Sequence, residues 1–325
     1  MLSNYPMDAI TCFGVDVTWW GGSRNNRASR RETIVAIRLD DEPTISIETI
    51  DLSPTPNPES ADNEEPNFDR DGRHLVNALL QTVDRITGKN DRVLIALDAP
   101  LESAHRPNQP PRRKAVAKGV AMGSVRRECE NALSHYATTL PENVRKLWNG
   151  DLKIQAGSPI PPRITSVLAR LQESGYEIVR NDKHQPMRGV IEIFPSEALW
   201  ALGTLGHYPG LTSKKVRAYK SKKDRVMSTE EALGIAARPL LGFSRMLVGC
   251  GRIDSSIVTS WISQLAGHAV TCSRHKETAL VHKGKGFDDP IDSGIAALTC
   301  VAYALGHHHL FGDGTDGAII GPGLL

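Results

Sequence analysis

Aromatic residues are scarce, at 5% of 325 residues, and no charge sign dominates. Lys and Arg number 39 against 37 Asp and Glu, a formal net charge of +2. Bulk charge therefore names no partner, and its distribution carries the information. Long apolar runs are also missing. The longest nearly uncharged stretch near the end, Ser293 to Gly306, is too short for a membrane helix, which needs about 20 apolar residues. The N-terminus has no basic stretch followed by an apolar core, so neither a secretory signal nor a membrane is expected. Cysteine is sparse and scattered. Cys12, Cys129, Cys250, Cys272 and Cys300 form no C-x-x-C pair, which excludes a zinc ribbon and a disulfide framework and points to a reducing cytoplasm. No G-x-G-x-x-G follows the first apolar segment, which argues against a doubly wound dinucleotide fold. Ser103 and His105 lack a nucleophile elbow, which argues against a hydrolase triad.

What is present reads as an ordered series of strands and helices. Residues Ile10 to Asp16 alternate apolar side chains toward a lone carboxylate, the pattern of a buried strand. Glu32 to Leu39 and Thr44 to Leu52 continue with short connections and period-two alternation, predicting an antiparallel meander. Asp71 to Thr87 carries Leu75, Leu79, Val83 and Ile86 at helical spacing. Arg92 to Asp98 is a nearly continuous apolar run, as in a strand covered on both faces. Helix is then expected over Arg163 to Gly175, Ser228 to Ala237 and Ser255 to Gly267, and strand over Tyr176 to Arg180 and Gly189 to Phe194. A late helix is expected from Asp289 to Leu305, with Asp289 as N-cap and Pro290 in its first position. The triplet His307 to His309 reads as a polar end, and Ala318 to Gly321 as a short final strand. The order predicts an α/β protein whose mixed sheet, an antiparallel meander plus parallel strands, is covered by helices. This is the ribonuclease H-like layout, expected here as one domain over 1–325. A helical insertion is expected near 103–162 and a basic one near 207–267.

Carboxylates recur where burial makes them costly. Asp16 and Asp98 each end an apolar strand, Glu192 lies inside one, and Asp289 and Asp292 share a helix face. Their strands hold no matching basic residues, so a metal site is expected. Asp16, Asp98, Glu192, Asp289 and Asp292 are its candidate ligands, and Mg²⁺ or Mn²⁺ suits such hard oxygen donors. Two such ions activate a water and stabilise the leaving oxygen of a phosphodiester.

Four segments carry a resemblance. Gly14-Val-Asp16, Ala96-Leu-Asp-Ala-Pro100, Ile191-Glu-Ile-Phe-Pro-Ser-Glu197 and Asp288-Asp-Pro-Ile-Asp-Ser-Gly-Ile-Ala-Ala297 occur in this order. The set resembles the landmarks of a family of predicted ribonuclease H-like nucleases, known as domain of unknown function 429. The resemblance implies that fold and a two-metal acidic site. Asp16, Asp98 and Asp292 would be its catalytic carboxylates, and Glu192 its acidic strand residue. Asp292 is followed by Ser293, where the family usually shows Ala.

Two basic runs complete the reading. Arg106 to Arg127 includes Arg112, Arg113 and Lys114 and contains no acid. Lys214 to Arg225 includes Lys214, Lys215, Lys220, Lys222 and Lys223. Such runs suit contact with a phosphate backbone. Trp19 and Trp20 follow Asp16, where core packing or loop anchoring is the commoner role and stacking on bases the alternative. The expected function is metal-dependent phosphodiester hydrolysis of nucleic acid. Asp16 would bridge the ions and Asp98 and Asp292 would complete the site. The rivals are an actin-like ATPase or phosphotransferase on the same core, and a catalytically inactive nucleic-acid-binding protein.

Overall fold

A computed structural model describes residues 9–17, 31–51, 68–102, 127–140, 142, 162–207, 217–220, 225–251, 253–274, 280–283, 285–312, 314 and 317–324. Ten strands are found among them: β1 (Ile10–Val15), β2 (Arg31–Leu39), β3 (Thr44–Asp51), β4 (Arg92–Leu97), β5 (Glu177–Ile178), β6 (Arg188–Ile193), β7 (Arg225–Met227), β8 (Val281–Lys283), β9 (His308–Phe311) and β10 (Ile319–Pro322). Eight α-helices join them: α1 (Phe68–Ile86), α2 (Glu128–Thr139), α3 (Pro162–Glu173), α4 (Pro195–Thr204), α5 (Thr229–Ala237), α6 (Leu241–Gly249), α7 (Ser255–Cys272) and α8 (Lys285–Ala304). None of the described helices is long and apolar enough to cross a membrane.

The main sheet is mixed, in the order β3-β2-β1-β4-β6-β10-β9, with β5 beside the first part of β6. β1, β2 and β3 form the antiparallel meander, paired Cys12 to Ile37 and Val35 to Ile47. β4 lies parallel to β1, β6 parallel to β4, and β10 parallel to β6. Alternation along the strands divides the core into two layers. Phe13, Val15, Ile95 and Leu97 join Leu75 and Leu79 of α1 and Val167 and Leu171 of α3 on one face. Cys12, Leu94, Ile191 and Ile193 join α4 to α8 on the other. Helices α5, α6 and α7, inside the stretch read as a basic insertion, thus contribute to this second layer through Ala232, Phe243 and Trp261.

The site depends on one close approach. A Cβ on Gly14 would lie 2.2 Å from the backbone nitrogen of Ala297 and from the carbonyl oxygen of Ser293. Glycine lets α8 lie directly on the backbone of β1. The end of the first strand and the acidic stretch of the last helix are thereby held together.

Three expectations are corrected. The last helix begins at Lys285, so Asp289 is not its N-cap and Pro290 lies within it. Proline is tolerated in this early turn because it leaves only the carbonyl four residues back, at Gly286, without an intrahelical donor. His307 to His309 is not simply a polar end, because β9 starts at His308. His308 pairs with Asp182 at 2.7 Å and His309 with Glu197 at 2.5 Å. The segment after Ala237 folds into a 3₁₀ turn, Arg238–Leu240, and α6, where no element was expected.

Candidate active site

Parallel register brings the first two carboxylates together. Val15 pairs with Leu97 across β1 and β4. The Asp98 N–H donates to the Val15 carbonyl at 3.2 Å. Asp16 and Asp98 therefore leave adjacent strands at the same level. Helix α8 adds a latch: the Asp16 N–H donates to Ser293 Oγ at 3.0 Å, and Ser293 Oγ donates to the Thr33 carbonyl at 2.9 Å. The serine that departs from the resembled pattern thus ties α8 to the ends of β1 and β2. Asp292, the preceding residue, is 4% exposed.

The acids act on one another. The Asp16 carboxyl is held well above the ordinary carboxylate range by burial first, then by Asp292, Asp98 and Asp289, with Lys220 opposing. Asp98 is pushed up to about 7 by burial, with Lys220 lowering it and Asp292 and Glu192 raising it. Burial disfavours the charged form of both acids, and the neighbouring carboxylates add to that effect.

Tyr219 was not singled out from sequence, and Lys220 was read there as part of a phosphate-facing run. Lys220 Nζ lies 2.9 Å from Asp292 Oδ2, and Tyr219, 2% exposed, donates its hydroxyl to Asp292 Oδ1 at 2.8 Å. Both stand on a short 3₁₀ turn, Arg217–Lys220. Burial works to lower the Lys220 ammonium, but Asp292, Asp98 and Asp16 hold it above its ordinary value. The available signal was a tyrosine inside a lysine-rich run, since a solvated run does not need an aromatic anchor.

Glu192, expected among the metal ligands, is engaged elsewhere. Arg127 donates Nη1 to its Oε2 at 2.6 Å and Nη2 to its Oε1 at 2.5 Å, and the Leu101 N–H donates to Oε2 at 2.9 Å. Arg127 also bonds Glu130 through Nε and Nη2. Arg127 belongs to the first basic run but is 2% exposed, so it is not part of a phosphate-facing surface. Arg112, Arg113, Lys114, Lys214, Lys215, Lys222, Lys223, Trp19 and Trp20 lie outside the described residues.

Asp16, Asp98, Asp289 and Asp292 are hard oxygen donors, the donor type that Mg²⁺ and Mn²⁺ prefer. Among the described residues, no group of three or more His, Cys, Asp or Glu side chains is arranged to hold a metal ion. Tyr219 and Lys220 take both oxygens of Asp292. No family model, no curated protein and no solved structure matches the chain.

Proposed function

We propose that the chain is a metal-dependent phosphodiesterase acting on nucleic acid, built on a ribonuclease H-like core and working in the cytoplasm. The carrying observation is geometric: Asp16 and Asp98 leave adjacent parallel strands at one level, and Asp292, held by Lys220 at 2.9 Å, is close enough to raise the proton affinity of both. The strand order β3-β2-β1-β4-β6, with an antiparallel meander followed by parallel strands, supports the core, as do the motif resemblances described above. The five free cysteines suit a reducing compartment.

In this reading Asp16, Asp98 and Asp292, with Asp289 beside them, would hold Mg²⁺ or Mn²⁺. Such ions supply Lewis acidity toward a water and toward the leaving oxygen of a phosphodiester. The chain's own contribution is placement. Ser293 fixes the Asp16 backbone, the Val15–Asp98 hydrogen bond fixes the second carboxylate, and Gly14 admits the helix bearing the third. Glu192 is left out of the ligand set because Arg127 holds both its oxygens. It still adds negative field at Asp98. The basic runs would carry the phosphate backbone.

The test is cleavage of single- and double-stranded DNA and RNA with Mg²⁺ or Mn²⁺, comparing the wild type with Asp16→Asn. Asn keeps the shape of the side chain and loses its charge. Cleavage that needs the metal and falls by about 100-fold or more in the variant is expected. Wild-type protein that cleaves none of these substrates, or a variant that retains cleavage per folded molecule, would overturn the reading.

A further inference from the structure

We propose that Lys220 is an internal competitor for the cation position at Asp292, and so sets the affinity of the acidic centre for divalent metal. The inference rests on the carboxylate reading above and adds to it the residue that controls loading. Asp292 has two oxygens, and both are taken by adjacent residues of one turn: the Tyr219 hydroxyl on Oδ1 and the Lys220 ammonium on Oδ2. A hydroxyl donor can turn and still leave a lone pair on the oxygen it serves. An ammonium 2.9 Å away occupies the space and the field that a metal ion needs. For Asp292 to ligate metal through Oδ2, Lys220 has to withdraw.

The surroundings allow that exchange. The Lys220 side chain is 28% exposed while Asp292 is 5% exposed. The lysine therefore reaches in from the rim on a flexible four-carbon stem, whereas the carboxylate is fixed in the helix. Tyr219, buried beside it and bonded to Oδ1, anchors the same turn through a second, separate contact. Removing Lys220 deprives the centre of a positive charge and leaves a stronger attraction for a dication.

The experiment is calorimetric titration of metal-free protein with MnCl₂, on wild type, Lys220→Met, Lys220→Gln and Asp16→Asn, after circular dichroism has established folding. Lys220→Met and Lys220→Gln should bind Mn²⁺ at least about tenfold more tightly than wild type, and Asp16→Asn should bind more weakly. Should either Lys220 variant lose too much stability without metal, the Mn²⁺-induced rise in its unfolding midpoint replaces the titration. That rise should exceed the wild-type rise. Lys220 variants that bind Mn²⁺ no better than wild type, while Asp16→Asn loses binding, would overturn the competitor role and leave the carboxylate reading intact. An Asp16→Asn protein that binds like wild type, or a wild type and Lys220 variants that all fail to bind, would overturn the carboxylate reading itself.

Discussion

Asp98 and Glu192 stand on neighbouring strands, since Leu97 pairs with Glu192 across β4 and β6. Burial raises both carboxyls, but the groups around them differ. Glu192 is 4% exposed and receives three donors, two from Arg127 and one from the Leu101 backbone. Its carboxyl stays above the ordinary range, raised by burial and only partly lowered by Arg127. Burial by itself would lower the Arg127 guanidinium, but Glu192 holds it above its ordinary value. Asp98 is pushed up to about 7, and among its neighbours Lys220 opposes while Asp292 and Glu192 add to the shift. One acid is neutralised in place and serves structure. The other lies beside Asp292 and Glu192, which raise its proton affinity, and Lys220, which lowers it. Burial of charge is thus a poor guide to function here, and the balance of donors around the charge is the better one.

The largest effect should come from breaking the balanced side. Arg127→Met leaves Glu192 and Glu130 buried without their cation, while the residue-127 backbone N–H that donates to Glu130 at 3.0 Å is kept. Losing one partner of a buried pair costs about 3–5 kcal/mol. Urea unfolding should show that loss. A change below about 1 kcal/mol would mean that the pair is not the structural brace inferred from it.

The unbalanced side should respond to pH in the opposite sense from an ordinary salt-bridged acid. Asp98 binds its proton more tightly in the fold, up to about 7 against an ordinary value of 3.8. Between these two values the folded chain holds more protons than the unfolded chain. Stability conferred by that group is complete below the unfolded value and is lost as pH rises through about 7. One group contributes at most about 1.4 kcal/mol per pH unit. Metal-free protein should therefore lose stability from about pH 4 to 7, and Asp98→Asn should flatten that slope. Denaturant midpoints at successive pH values, in chelator, read it directly. An unchanged slope in Asp98→Asn would assign the dependence to other groups.

How much of this was legible in sequence follows from the range of each signal. The meander, α1, β4, α3 and β6 were visible because alternation and helical spacing are written within a few residues. The candidate positions Asp16, Asp98 and Asp292 were singled out because an acid ending an apolar strand, or set in a helix with an apolar face, is locally odd. β9 was missed because His308 and His309 read as polar, and their acid partners, Asp182 and Glu197, are more than a hundred residues away. The roles of Arg127 and Lys220 were misread for the same reason. Each stands in a run of cations that looks like a solvated surface, and each is turned inward by a carboxylate 65 or 73 positions distant for Arg127 and the Tyr219–Lys220 turn respectively. Charge pairing over such separations leaves no local periodicity.

The smallest stability effect, and the sharpest contrast with Arg127→Met, is expected at Asp16. Replacing a carboxylate by its neutral near-isostere usually costs stability when the charge is paired. At Asp16 the balance runs the other way, since burial first and then Asp292, Asp98 and Asp289 raise its proton affinity, with Lys220 opposing among the described residues. The backbone contact that positions the residue, from the Asp16 N–H to Ser293 Oγ, is made by the main chain and survives the substitution. At neutral pH without metal, Asp16→Asn should therefore equal the wild type or gain up to about 1 kcal/mol by relief of like-charge repulsion. Excess divalent cation should reverse the order, because it stabilises only the protein that keeps its ligands. Paired urea melts in chelator and in Mn²⁺ measure both halves. If the variant is clearly less stable than wild type in chelator, Asp16 is a structural acid like Glu192, and the distinction between the two neighbouring regions fails at the residue where it is most exposed to test.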